Sequence, residues 1–181
     1  MLKANPQGCF PEVHSTSHID ETAVVIGQVK IGEHVFVGPG AVIRADEKGS
    51  EIVIGDNCNI QDKAILHCLE HSRVTVGAGT SLAHACIVHG PCAIGRKCFI
   101  GFGTVLFKTE IHDGVIIKHK CCVENINIPA NSLINSGSCI TQDEDLSCLK
   151  AAADEDRSFA QKVADVNCEL ADGYKAIHKR T

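Results

Sequence analysis

The sequence predicts a mainly β fold, a parallel β-helix of hexapeptide repeats with a C-terminal α-helix, on three observations. Aliphatic residues recur at every sixth position, small or β-branched residues recur two positions before them, and a helical spacing takes over only after residue 140. The series reads Val13, Ile19, Val25, Ile31, Val37, Ile43, restarts at Ile54, Ile60, Leu66, and runs from Val76 through Leu82, Val88, Ile94, Ile100 and Leu106. It continues as Ile111, Ile117, Val123 and then Ile128, Ile134, Ile140. Neither the period of a helix nor the alternation of a half-buried strand yields a strict period of six. A triangular solenoid does, with one short strand per repeat and about eighteen residues per coil.

Residues two apart on a strand face the same way. Ala23, Val29, Val35, Ala41, Cys58, Ala64, Thr80, Cys86, Cys92, Cys98 and Thr104 therefore share the interior with the aliphatic residues that follow them. Gly32, Gly38, Gly55, Gly77, Gly95 and Gly101 each come directly after an aliphatic position, where a sharp corner is expected to need a permissive backbone. Successive coils should stack at about 4.8 Å. The period breaks at RADEKGSE, between Ile43 and Ile54, and at HCLEHSRVT, between Leu66 and Val76, and both segments are expected to leave the solenoid as corner loops. One residue is missing between Leu106 and Ile111 and again between Val123 and Ile128, which reads as a tightened corner. Beyond Ile140 the chain is acidic early and basic late, with apolar spacing at Phe159, Val163, Val166 and Leu170. This is the charge order a helix dipole prefers, and one or two helices are expected along the solenoid. The division is residues 1–141 for the β-helix and 142–181 for a helical segment packed on it.

With 181 residues, one domain plus an appendage is the expectation. The formal charge of -5 gives no basic footprint, so nucleic acid and anionic membranes are poor partners and a small neutral or anionic substrate fits better. No apolar run approaches the ~18 residues of a membrane span, and the opening MLKANPQGCFPEV lacks the order of a secretory signal, so a cytoplasmic location is expected. Eleven cysteines, an odd number without a C-x-x-C pair, fit compact core fillers better than a disulfide framework.

Of the ten histidines, His67, His84 and His89 stand apart because the repeat locates them. His67 follows Leu66 and His89 follows Val88, three faces later, so the two should stack one coil apart with roots roughly 5 Å from each other. Imidazoles so placed can converge on one metal. His84 lies on the neighbouring face, out of reach within one chain; a second subunit in a threefold assembly could deliver it. Three such ligands leave a coordination position open for water, the layout of a catalytic site. Solvated or hydrogen-bonded corner residues are the other reading that spacing leaves open, and it is the one taken for His14, His18, His34, His112, His119 and His178. His71, in a loop near the site, stays undecided.

The strings VIRADE at 42–47, NIQDKAILH at 59–67, SLAHACIVHGPCAIG at 81–95, FIGFGTVLFK at 99–108 and DVNCELADGYK at 165–175 resemble the γ-class carbonic anhydrases over nearly the whole chain. The resemblance implies a left-handed parallel β-helix, the hand being taken from families with this repeat, and a homotrimeric lyase that hydrates CO2 to bicarbonate with a metal-bound hydroxide at a subunit interface. It implies His67, His84 and His89 as ligands of Zn2+, with Fe2+ or Co2+ equally suited to three imidazoles. Gln61 would orient the hydroxide and Asn59 would line the pocket. Arg44 and Asp62 would pair across the interface with Asp46 beside them. Glu47 resembles a glutamate implicated in proton transfer and CO2 hydration, and Asn167 a helix asparagine that orients CO2. The chain departs from the family's longer pattern in having only sixteen residues between His67 and His84, too few for the long acidic loop that bears a shuttle glutamate in some members. Slower proton export is expected, with Glu47, Glu70 or His71 as substitutes.

Two other readings remain at this stage. A hexapeptide acyltransferase would use one histidine as general base and bind acyl-CoA between subunits. A non-enzymatic trimeric scaffold would keep the fold and the metal without turnover.

Overall fold

The computed structural model describes residues 1–178, except the side chains of Cys148 and His178. It is a left-handed parallel β-helix of about seven turns with a single C-terminal helix. Each aliphatic position of the repeat is buried from Val25 to Ile140, and Val13 and Ile19 pack against the same core from the open end. The strands are two to four residues long and fall into three sheets of eight, seven and eight strands. The first face carries Leu2–Lys3, Val24–Gly27, Val42–Ala45, Ile65–His67, Ile87–His89, Val105–Phe107, Cys122–Glu124 and Cys139–Ile140.

The three faces present different outer columns, because every coil repeats the same register. On the second face the column is Glu12, Lys30, Val53, Thr75, Ala93, Glu110 and Asn127, which is mostly polar. On the third it is His18, Phe36, Asn59, Ser81, Phe99, Ile116 and Leu133, all buried. On the first it begins Val24, Val42, Ile65, Ile87 and Val105, with Ile65 and Ile87 exposed. The helix Asp154–His178 explains the difference, since it lies over the third face. Ala160 and Val163 pack there with Phe99, Ile116 and Leu133, and Tyr174 stacks on His18 at 4.7 Å. A 3-10 turn, Asp143–Cys148, leads into Lys150–Ala151, which pairs antiparallel with Ser132 and Leu133 and covers one sheet edge. Among the described residues no helix is long and apolar enough to cross a membrane.

Two expectations need correction. The helix buries an alanine stripe, Ala160, Ala164 and Ala171, while Phe159, Val166 and Leu170 stay exposed; small residues let the helix backbone approach the sheet, and the larger apolar side chains are left on its flank. The glycines that follow the aliphatic positions are not the residues that turn the corner. At all six corners the positive φ belongs to the residue two places on: His34, Gly40, Asn57, Gly79, Lys97 and Gly103. What Gly77 provides is clearance, because a Cβ there would sit 2.5 Å from the backbone of Gly95 in the next coil.

The interior cysteines behave as apolar fillers. Burial pushes the thiols of Cys58, Cys86 and Cys92 up to about 12 and that of Cys98 to about 11. Their folded-state values lie above the reference of 9.0, so their contribution to stability is complete below pH 9 and is lost as pH rises through 11 to 12. Stability measured by urea denaturation should therefore fall between pH 9 and 11, less so in a Cys86→Ala, Cys98→Ala variant. Gly77→Ala is expected to lower stability by roughly 3 kcal/mol through backbone overlap. Gly137→Ala, with φ +76 and open space around it, should cost only about 1 kcal/mol, and the reverse order of denaturation midpoints would contradict the clearance argument.

Candidate metal centre

His67 and His89 close neighbouring strands of the first face and are direct register partners. Leu66 and Val88 point inward, so strand alternation turns both histidines out. Their rings meet edge to face at 4.9 Å between centroids, with His67 Nδ1 3.1 Å from His89 Nε2. Arg44 occupies the same column one rung below and Phe107 one rung above. Phe107 braces His89 at 5.4 Å and 75°. The repeat held this signal, since Phe107 lies one coil after His89, yet the sequence reading passed over it.

The first loop brings carboxylates to the pair. Asp46 Oδ1 and Glu47 Oε1 lie 3.6 and 3.4 Å from His67 Nε2. Glu47 Oε2 accepts the Glu70 backbone N–H at 2.7 Å, and the His71 N–H donates to the Lys48 carbonyl at 2.9 Å, so the two corner loops dock on each other. Burial, then the Arg44 and His89 charges, holds the His67 imidazole below its usual range. This favours the neutral imidazole, which has a lone pair to offer a cation.

Four buried side-chain atoms among the described residues lack a hydrogen-bond partner: Asp46 Oδ1, Asn59 Oδ1, Gln61 Oε1 and His67 Nε2. All four belong to residues singled out by the sequence. A buried polar atom left unpaired costs about 1–3 kcal/mol, so a polar or cationic partner for these atoms would recover stability as well as serve chemistry.

The other candidates are placed apart from the pair. Gln61, Asp62 and His84 lie at the corner between the third and first faces, where the His84 Nδ1 is 3.4 Å from Asp62 Oδ2 and its ring rests against Phe102 at 5.3 Å. Within the chain Arg44 pairs with Asp46 at 3.4 Å, and Asp62 serves His84. Asn59 is fully buried in the helix-covered column, with Nδ2 donating to Ser81 Oγ at 3.5 Å. Asn167, on the sheet side of the helix, uses its Nδ2 on the Val163 carbonyl at 2.8 Å. Among the described residues no three His, Cys, Asp or Glu side chains of one chain are grouped to hold a metal. His18 is buried in an aromatic stack and His119 stacks on Phe102 at 4.3 Å; the side chain of His178 lies outside the described residues.

The geometry suits a cation at the histidine pair. Two imidazole nitrogens on one tetrahedral Zn2+, at bonds of about 2.0–2.1 Å, stand roughly 3.3 Å apart. The observed 3.1 Å is close to that, and with a proton between them the same spacing makes an N–H···N hydrogen bond.

Residues 10–45 match the family model for bacterial transferase hexapeptide (six repeats). A carbonic anhydrase from Methanosarcina thermophila is 34% identical to this chain, covering 94% of it and 77% of the relative. The chain belongs to the γ-class carbonic anhydrase family. The carboxysome assembly protein CcmM of Nostoc sp. is also 34% identical over 90% of this chain, but this chain spans 31% of that protein's length. The solved structure of a hexapeptide transferase family protein from Anaplasma phagocytophilum superimposes with a TM-score of 0.82 at 25% identity, covering 96% of this chain and 98% of that one.

If the Gln61 amide is kept for chemistry, replacing it should not destabilise the fold. Gln61→Leu is expected to keep or raise the melting temperature, by roughly 2–4 °C for each kcal/mol of relieved desolvation. A fall of several degrees would mean that the amide has a structural partner.

Proposed function

We propose that this protein is a metal-dependent carbonic anhydrase that interconverts CO2 and bicarbonate at a centre completed between the subunits of a homotrimer. The observation that carries the reading is the register pairing of His67 and His89, with two nitrogens 3.1 Å apart. His67 and His89 of one chain and His84 of the next would hold the cation, Zn2+ being the first expectation and Fe2+ or Co2+ chemically equivalent choices. When bound, such a cation supplies Lewis acidity and makes water acidic enough to yield a hydroxide nucleophile near neutral pH. The trimer is supported by the exposed Ile65 and Ile87 beside the histidines, an apolar column without a cover in one chain. It is supported too by His84, whose side chain is half exposed at the adjoining corner.

The remaining roles belong to the chain itself. Gln61 Oε1, buried and unpartnered, is suited to accept a hydrogen bond from the attacking group and so fix its direction. Asn59, two residues before Gln61 on the helix-covered column, holds a second unpartnered acceptor and is assigned to the lining of the pocket. The Phe107 edge orients His89, and Asp46 does the same for Arg44. Hydration of CO2 releases a proton, and the docked loops offer a way out: Glu47 lies against His67, Glu70 is tied to Glu47, and His71 Nε2 stands 3.5 Å from Glu70 Oε1 at the surface. Asn167 is assigned the placing of CO2 from the helix side.

The test is stopped-flow CO2 hydration with protein loaded aerobically with zinc or anaerobically with iron, alongside metal content and an acetyl-CoA turnover assay. Activity with either metal is expected, and His89→Ala should lose both metal and activity. Metal retained without CO2 hydration would favour the scaffold reading, and acetyl transfer the acyltransferase reading. Turnover should also rise with imidazole buffer concentration, by about tenfold or more if proton export limits it. A rate independent of buffer contradicts the slow-export argument.

A further inference from the structure

Core packing accounts for Cys58, Cys68, Cys86, Cys92, Cys98 and Cys121, but not for Cys122 and Cys139. Cys121 and Ile140 point inward, so strand alternation turns their neighbours Cys122 and Cys139 outward on the first face. These two are direct register partners on adjacent strands. They end the outer column that begins Val24, Val42, Ile65, Ile87 and Val105, replacing aliphatic residues at two consecutive rungs. In the two interior columns that hold two cysteines each, a threonine separates them. The Asn59 and Ser81 N–H groups donate to the carbonyls of Thr80 and Cys98 on successive rungs, which puts Thr80 between Cys58 and Cys98. The same ladder puts Thr104 between Cys86 and Cys121.

We propose that Cys122 and Cys139 form a thiol-modification site that closes to an intrachain disulfide by exchange with a low-molecular-weight disulfide. Register partners on neighbouring strands are about 4.8 Å apart, inside the 4.4–6.8 Å between Cα atoms that a disulfide spans. In the single chain Cys139 is exposed, three rungs beyond Ile87 on the last strand of its sheet, while Cys122 is half-buried one rung closer. This asymmetry sets the order of events. The Cys139 thiolate attacks one sulfur of glutathione disulfide, forming a mixed disulfide and releasing one glutathione thiolate. Cys122, whose thiol burial and the neighbouring sulfur push upward, loses its proton to solvent and attacks the Cys139 sulfur, releasing the second glutathione. Two protein thiols are oxidised and one glutathione disulfide is reduced to two thiols, so electrons and atoms balance. The bridge would tie the open-ended strand Cys139–Ile140, from which the chain departs towards the helix, to the coil beneath it.

The site does not depend on the proposed carbonic anhydrase activity, and its test reads no turnover. The native full-length protein is incubated at pH 8 with excess glutathione disulfide, quenched with acid, and mapped by mass spectrometry without reduction. A Cys122–Cys139 linked peptide, two mass units below the sum of its reduced halves, is expected, and the melting temperature should rise by roughly 5 °C or more. Cys122→Ser should stop the reaction at the glutathione adduct of Cys139, and dithiothreitol should reverse both products. Recovery of the adduct alone in the unaltered protein, a bridge from either residue to another cysteine, or native protein that keeps both thiols free overturns the proposal.

Discussion

The register between coils is the constraint on which everything else in this molecule rests. A period of six, broken only at corners, forces each side chain to sit above its counterpart in the coil below. Parallel strands two to four residues long have little pairing energy individually, and what holds them in line is the buried column of Val, Ile and Leu, where a slip of one residue would turn every apolar group outward. That same requirement stacks outward residues into columns. It places Ile26, Arg44, His67, His89, Phe107 and Glu124 in one line on one face.

Division of the outside into three kinds of surface follows from what covers each face. The second face is polar and meets water. The third is apolar and covered by the helix, whose alanines permit close approach. The first is apolar in its upper column and bears the histidine pair in the next, and among the described residues the helix does not cover it. An uncovered apolar column beside buried, unpaired polar atoms is a poor free surface and a good half-interface. The unpaired acceptors of Gln61 and Asn59 work against stability in a lone chain, which is the pattern expected where function rather than packing selects a residue.

Much of this was legible in the residues. Period and inward pairing located the core, the first-face register of His67 and His89, and the interior cysteines, because a solenoid converts sequence distance directly into spatial neighbourhood. The helix was legible as an element but only partly in its packing: of Phe159, Val163, Val166 and Leu170, which look like a core stripe, only Val163 packs on the sheet, because the surface beneath already carries large residues, Phe99, Ile116 and Leu133, and alanines fit closest against it. The corner glycines misled for a related reason. Their use lies in the distance to the neighbouring coil, a property of the stack that one repeat read alone does not reveal.

A site shared between chains is close to a necessity for this architecture. The interior of the prism is filled, so ligands must come from outer columns, and one column offers at most two side chains that converge before the coil spacing carries the next one out of range. Here those positions are His67 and His89, flanked above by Phe107 and below by Arg44. A third imidazole from the same chain would have to bend around a corner of the triangle, and His84 instead lies outward against Phe102 and Asp62. The loops solve a different problem from the ladder. By breaking the period next to His67, the insertions at 46–50 and 69–72 deliver Asp46, Glu47, Glu70 and His71 to a place no repeat position could supply. Regular coils thus set two imidazole nitrogens at fixed spacing and irregular corners add the acids and bases; in the proposed trimer a threefold neighbour would close the set.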